Sequence, residues 1–86
     1  MLQYDFQLSS NDVVEVVLDR QANVLLMDSA NLSSFKRGDR YTYYGGLAKV
    51  SPVHLSAPYS GSWYIVLDFL GYTGSVRAGV RAIRRR

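Results

Sequence analysis

His54 is the only histidine among 86 residues and cysteine is absent, so the side chains that most often run nucleophilic or metal chemistry are scarce. A serine nucleophile needs a base held beside it and a third group to orient that base. His54 would have to be the base, and no motif accompanies it. In "VHLSA" it falls on the outward side of an alternating pattern, which suits a hydrogen-bonded structural histidine. One imidazole and no thiolate cannot assemble the usual zinc sites. Asp28, Asp39 and Asp68 could approach one another in the fold, yet their spacing forms no calcium-binding loop. Gly45 and Gly46 lack the spacing and the following Lys-Ser/Thr of a phosphate loop. The expectation is a protein that is not an enzyme and carries neither metal nor cofactor.

Binding chemistry is better represented. The stretch "RGDRYTYYGG", residues 37–46, sets two arginines and three tyrosines before a glycine pair. Arginine grips carboxylate or phosphate through a planar fork, and tyrosine adds a stacking face and a hydroxyl. An anionic ring-bearing ligand or a protein epitope would suit that combination. The candidate binding residues are Lys36, Arg37, Arg40, Tyr41, Tyr43, Tyr44 and Lys49, joined by the later Arg77 and Arg81. If residues 40–44 form one strand, Tyr41 and Tyr43 face one way while Arg40, Thr42 and Tyr44 face the other.

The elements that must carry these residues show period-two alternation and no sustained helical period. Leu2, Tyr4, Phe6 and Leu8 alternate with Gln3, Asp5 and Gln7. "SSND" turns the chain. "VVEVVLD", residues 13–19, is a β-branched strand with Val14, Val16 and Leu18 on one face. "VLLMD", residues 24–28, is short, bounded by turn residues and apolar throughout, hence a strand packed on both sides. Residues 29–39 read as a short helix or an anchored loop, pinned by Leu32 and Phe35.

A fourth strand follows in "RYTYY", broken by the glycine pair and resumed in "LAKV". Pro52 fits a strand start or an edge. Val53, Leu55 and Ala57 point inward. "WYIVLDF", residues 63–69, places Trp63, Ile65, Leu67 and Phe69 on one face and reads as the centre of the core. "SVRAGVRAI" sends Val76, Ala78, Val80 and Ala82 inward and Arg77 and Arg81 outward, before a frayed basic tail over 83–86. Seven or eight short strands with regular turn signals predict an all-β domain, an antiparallel β-sandwich of jelly-roll type or a flattened barrel, spanning residues 1–86.

Composition agrees with a folded module: 48% of residues are hydrophobic and 20% charged, away from the disordered range. No membrane span or secretory signal is legible, and the lack of cysteine fits the cytoplasm. The net charge of +3 is divided unevenly. Residues 1–35 carry Arg20 against Asp5, Asp12, Glu15, Asp19 and Asp28, a net −4. Residues 36–86 carry nine Lys or Arg against Asp39 and Asp68, a net +7. Two readings stay open: a basic face for phosphate or nucleic acid, or acidic early strands paired with basic late ones, within one subunit or between two.

The segments "MDSAN" (27–31), "YYGG" (43–46), "SPV" (51–53), "SGSWYIVLD" (60–68) and "GSVRAGVRAI" (74–83) resemble the bacterial family called domain of unknown function 1883. That resemblance implies a small all-β domain, sometimes joined to a Toll/interleukin-receptor-like domain, and so a recognition or regulatory module in signalling or defence. It implies no catalytic residue. The expected function is a non-enzymatic interaction module that engages a protein partner or an anionic small ligand, with self-association into a homo-dimer also in view. Nucleic-acid binding by the basic C-terminal half is the alternative.

Overall fold

The structure, a computed structural model, describes residues 1–84. Seven strands and one helix follow in the order β1 (Leu2–Leu8), β2 (Val13–Leu18), β3 (Ala22–Asp28), α1 (Ser29–Arg37), β4 (Tyr44–Ala48), β5 (Val53–Ser56), β6 (Gly61–Asp68) and β7 (Ala78–Ile83). All pairings are antiparallel and form two sheets, β1-β6-β3-β4 and β5-β2-β7. The sheets pack face to face as a sandwich and do not close into a barrel, so of the two expected architectures the sandwich is correct.

Between the sheets lies the core that alternation foretold. Val14, Val16, Val24, Leu26, Trp63, Ile65 and Leu67 are essentially inaccessible to solvent, each such side chain contributing about 1.5–3 kcal/mol by leaving water. β3 and β6 occupy the middle of the four-stranded sheet, where they pair with each other from Asn23↔Asp68 to Asp28↔Trp63.

β3 is buried on both faces, as its unbroken apolar run required. Its outer face, with Leu25 and Met27, lies under α1, whose Leu32 and Phe35 close a second small core with Val66, Tyr41 and Tyr64. The segment left open between helix and loop is therefore a helix. Asp28 caps its start, accepting from the Asn31 backbone N–H at 2.9 Å, and Gly38 ends it at φ +76°, the left-handed conformation glycine adopts freely. Lys36 and Arg37 sit in the last turn, where cations complement the helix dipole.

The fourth strand departs from expectation at both ends of the tyrosine run. Residues 40–43 are not a strand, and the glycine pair does not break one: β4 begins at Tyr44 and runs through Gly45 and Gly46. Residues 38–43 are instead the return loop of α1. Its anchors are Tyr41, edge-on to Phe35 with centroids 5.0 Å apart, and the Thr42 N–H, which donates to Asn31 Oδ1 at 2.8 Å. These contacts to the helix replace a ladder. Gly45 is required by close approach: at φ +116°, a Cβ would stand 2.1 Å from the Val24 carbonyl oxygen.

β7 starts at Ala78, later than the pattern suggested, and the supposed tail begins no earlier than residue 84. Ile83 pairs with Val13. Arg84 is held, donating to the Gln7 carbonyl at 2.7 Å and to buried Asp12 at 3.1 Å. The rest of that stretch, residues 85 and 86, lies outside the described residues.

Candidate interaction surface

The four-stranded sheet delivers an aromatic group to one end of the sandwich. Trp63 opens the inward face of β6 opposite Asp28, and Tyr44 opens β4 opposite Leu26. The turn before β6 brings Tyr59 to the same place. Tyr59 and Trp63 lie 4.8 Å apart between ring centroids, and Tyr44 meets Trp63 edge-on at 6.1 Å. Trp63 is buried and its indole N–H donates to the Tyr59 carbonyl at 2.9 Å. Tyr44 and Tyr59 are each about half exposed, 51% and 48%.

Asp28 locks this end. Its Oδ1 accepts from both the backbone and the side-chain amide of Asn31, and Oδ2 accepts a very short hydrogen bond from the Tyr59 hydroxyl. That bond holds the Asp28 carboxyl below its ordinary value, and it pushes the Tyr59 phenol up to about 12. One carboxylate thus fastens the helix start, the return loop through Asn31 and Thr42, and the Tyr59 turn. These bonds make Asp28 a brace that holds Tyr59 in place against Trp63.

The nine residues picked from sequence are distributed rather than gathered. Tyr44 belongs to this aromatic end. Tyr43, 46% exposed, tilts against Tyr41 at 5.8 Å, so these two do lie together, although in a loop. Tyr41 is mostly packing for α1. Lys36, Arg37 and Arg40 follow the end of α1 and the return loop, where Arg37 is paired with Asp39 at 2.9 Å. Lys49 stands at the far end of β4, in the turn to β5. Arg81 belongs to β7 of the other sheet and donates to Glu15 at 2.7 Å, and Arg77 lies just before that strand.

That second sheet shows why the charges divide as they do. Glu15 of β2 lies between His54 of β5 and Arg81 of β7 in register. It accepts from Arg81 and bonds His54 Nε2 at 3.1 Å, and these bonds lower its pKa. With Arg84 on Asp12, early acidic strands do pair with late basic ones inside one subunit. The carboxylates Asp28, Asp39 and Asp68 do not converge: Asp39 holds Arg37, and Asp68 accepts from the Leu70 N–H. Among the described residues no three His, Asp or Glu side chains form a metal cluster, and no helix is long and apolar enough to cross a membrane.

Sequence reasoning missed Asp28, Asn31 and Tyr59 as members of this end. The available signal was "MDSAN", an aspartate just before a helix-compatible segment, which reads as a cap; nothing local links it to Tyr59, 31 residues later.

Fold and surface together define an all-β sandwich of two antiparallel sheets, with one covering helix and an aromatic end. The chain belongs to the family described as Domain of unknown function (DUF1883), whose model matches residues 2–86. Neither the curated proteins nor the solved structures returned a match.

Proposed function

We propose that the protein is a non-enzymatic interaction module that recognises its partner through the aromatic end and the adjoining β4 edge. The observation that carries this reading is the fixing of two half-exposed tyrosines, Tyr44 and Tyr59, against buried Trp63, with the Tyr59 hydroxyl tied to Asp28. Rigid aromatic side chains lose little freedom on binding and bury large areas, which is what the central contacts of interfaces need.

A catalytic role draws no support from His54, whose ring is engaged by Glu15. Nucleic-acid binding is the weaker alternative, because Arg37, Arg81 and Arg84 each already face a carboxylate of this chain. The family resemblance points to the setting: a recognition or regulatory part in signalling or defence, in a family whose members are sometimes joined to a Toll/interleukin-receptor-like domain. A cysteine-free chain of this kind suits the cytoplasm.

The test is a two-dimensional NMR titration against nucleotides, dinucleotides, sugars, short peptides and oligonucleotides, together with dilution of the protein alone. Shifts clustered on Tyr43, Tyr44, Gly45, Leu47, Tyr59 and the Trp63 indole are expected. A response confined to Arg77, Arg81 and the chain end, steeply weakened by salt, would replace the reading with nucleic-acid binding. Silence in every arm, dilution included, would remove it.

A further inference from the structure

β4 ends its sheet with an unprotected edge. Proteins usually blunt exposed edges with charge, proline or a covering element, yet Tyr44–Ala48 holds neither charge nor proline, and among the described residues β3 is its one ladder partner. Leu47 at 52% and Val50 at 80% are exposed beside Tyr44, so three large apolar side chains are displayed within seven residues.

The inward side of the same strand is uneven. Tyr44, Gly46 and Ala48 stand opposite Leu26, Val24 and Ala22, which are all buried, so the three share the core side of the pleat. The large ring is at one end. The small residues leave a groove of about 370 Å³ at the other, between β4 and β5, lined by Val24, Ala48, Lys49, Pro52 and Val53. A Cβ at Gly46 would meet nothing within 4 Å, so the face of the strand at its midpoint is uncrowded, in line with the groove.

We propose that β4 pairs antiparallel with β4 of a second copy, about a two-fold axis at Gly46, joining the two four-stranded sheets. The inference rests on the reading of the β4 side as the interaction surface and names the partner. Setting Gly46 opposite itself places Tyr44 beside the partner's Ala48, so each ring covers the groove that the other copy's small residues leave. Large meets small twice, the self-complementarity a two-fold contact requires. Lys49 falls opposite Tyr43 rather than opposite its own copy, which avoids like charges and permits a cation–ring contact.

Pairing β4 with β1, the other edge of the same sheet, fits less well. The inward residues of β1 are Leu2, Tyr4, Phe6 and Leu8, with no small residue to receive Tyr44, and such head-to-tail contact would not close.

Light scattering and sedimentation over rising concentration test this directly. The expected mass climbs from 9.7 kDa for one chain to twice that. Leu47→Lys, which charges the edge, and Ala48→Leu, which fills the groove, should each weaken association by about tenfold or more, as mismatches at the centre of an interface do. Val17→Lys, on the bare face of the other sheet, should leave it intact, and thermal unfolding checks that every variant is folded. A chain monomeric at millimolar concentration, a dimer untouched by both edge variants, or open-ended polymer would overturn the proposal. If the chain is monomeric while a panel compound still shifts Tyr44, Gly45 and Leu47, the second copy is excluded and the interaction surface stands. A monomer with no such shifts sinks both.

Discussion

The two sheets of the sandwich differ in what covers their outer faces. The four-stranded sheet carries α1, so β3 and β6 face apolar neighbours on both sides, through Leu26 and Ile65 inward and Met27 and Val66 outward. The three-stranded sheet is bare outside, and there Glu15, His54 and Arg81 hold its strands in register through charge. The covered sheet is thus fixed by burial and the bare one by burial on one side plus ion pairs in water. The first should be rigid enough to present a surface, and it is the one that carries the aromatic end.

The largest effect separating the sheets should come from outward positions. Met27→Ala, beneath α1, is expected to cost about 2–5 kcal/mol, whereas Val17→Ala, outward on β2 and 48% exposed, should stay within about 0.5 kcal/mol. Chemical denaturation of the two variants measures this, and equal losses would break the contrast.

Next comes the edge of the covered sheet. Gly45→Ala must force a side chain toward the Val24 carbonyl at a positive φ and should destabilise by about 1–3 kcal/mol. Gly46→Ala, which meets open space, should cost less.

Asp28→Ala, which removes both the helix cap and the Tyr59 acceptor, is expected to cost about 0.5–2 kcal/mol. Spectroscopic titration gives a companion readout. Tyr59 should ionise near 12 in the native protein and fall toward the ordinary tyrosine value of about 10 in Asp28→Asn. Because its folded value is raised, its stabilising bond is fully present below the unfolded value and is lost as pH climbs through about 12.

The smallest effect belongs to the bare sheet. Glu15 has a lowered pKa through Arg81 first and His54 second, so its contribution is present above the unfolded value and lost as pH falls through the folded one. Glu15→Gln should therefore flatten the acid side of the melting-temperature profile, with little change near neutrality, as exposed ion pairs contribute little. An unchanged acid limb would count against the register role of this trio.

Much of this fold could be read along the chain because strands alternate with period two. β1, β2, β5 and β6 carry their buried residues where alternation put them, and β6 runs through the middle of its sheet with Trp63, Ile65 and Leu67 buried. The tyrosine run departs from its strand pattern for an identifiable reason. β-propensity favours a strand in "RYTYY", but Tyr41 gains more by packing on Phe35 and the small core under α1, and the Thr42 N–H finds Asn31 instead of a ladder partner. The nine basic and aromatic candidates were chosen by type and nearness in sequence. Spacing cannot say that Arg81 would be claimed by Glu15, 66 residues away.

By itself the sequence determined the fold class, the inward faces of most strands and the double burial of β3, because each follows from local alternation and the need to remove apolar side chains from water. Tertiary structure alone decided that Asp28 would brace Tyr59, that opposite charges would meet across β2, β5 and β7, and that β4 would be left at an edge. Those outcomes depend on which strands become neighbours, and pairing partners far apart in the chain leave no mark on local periodicity.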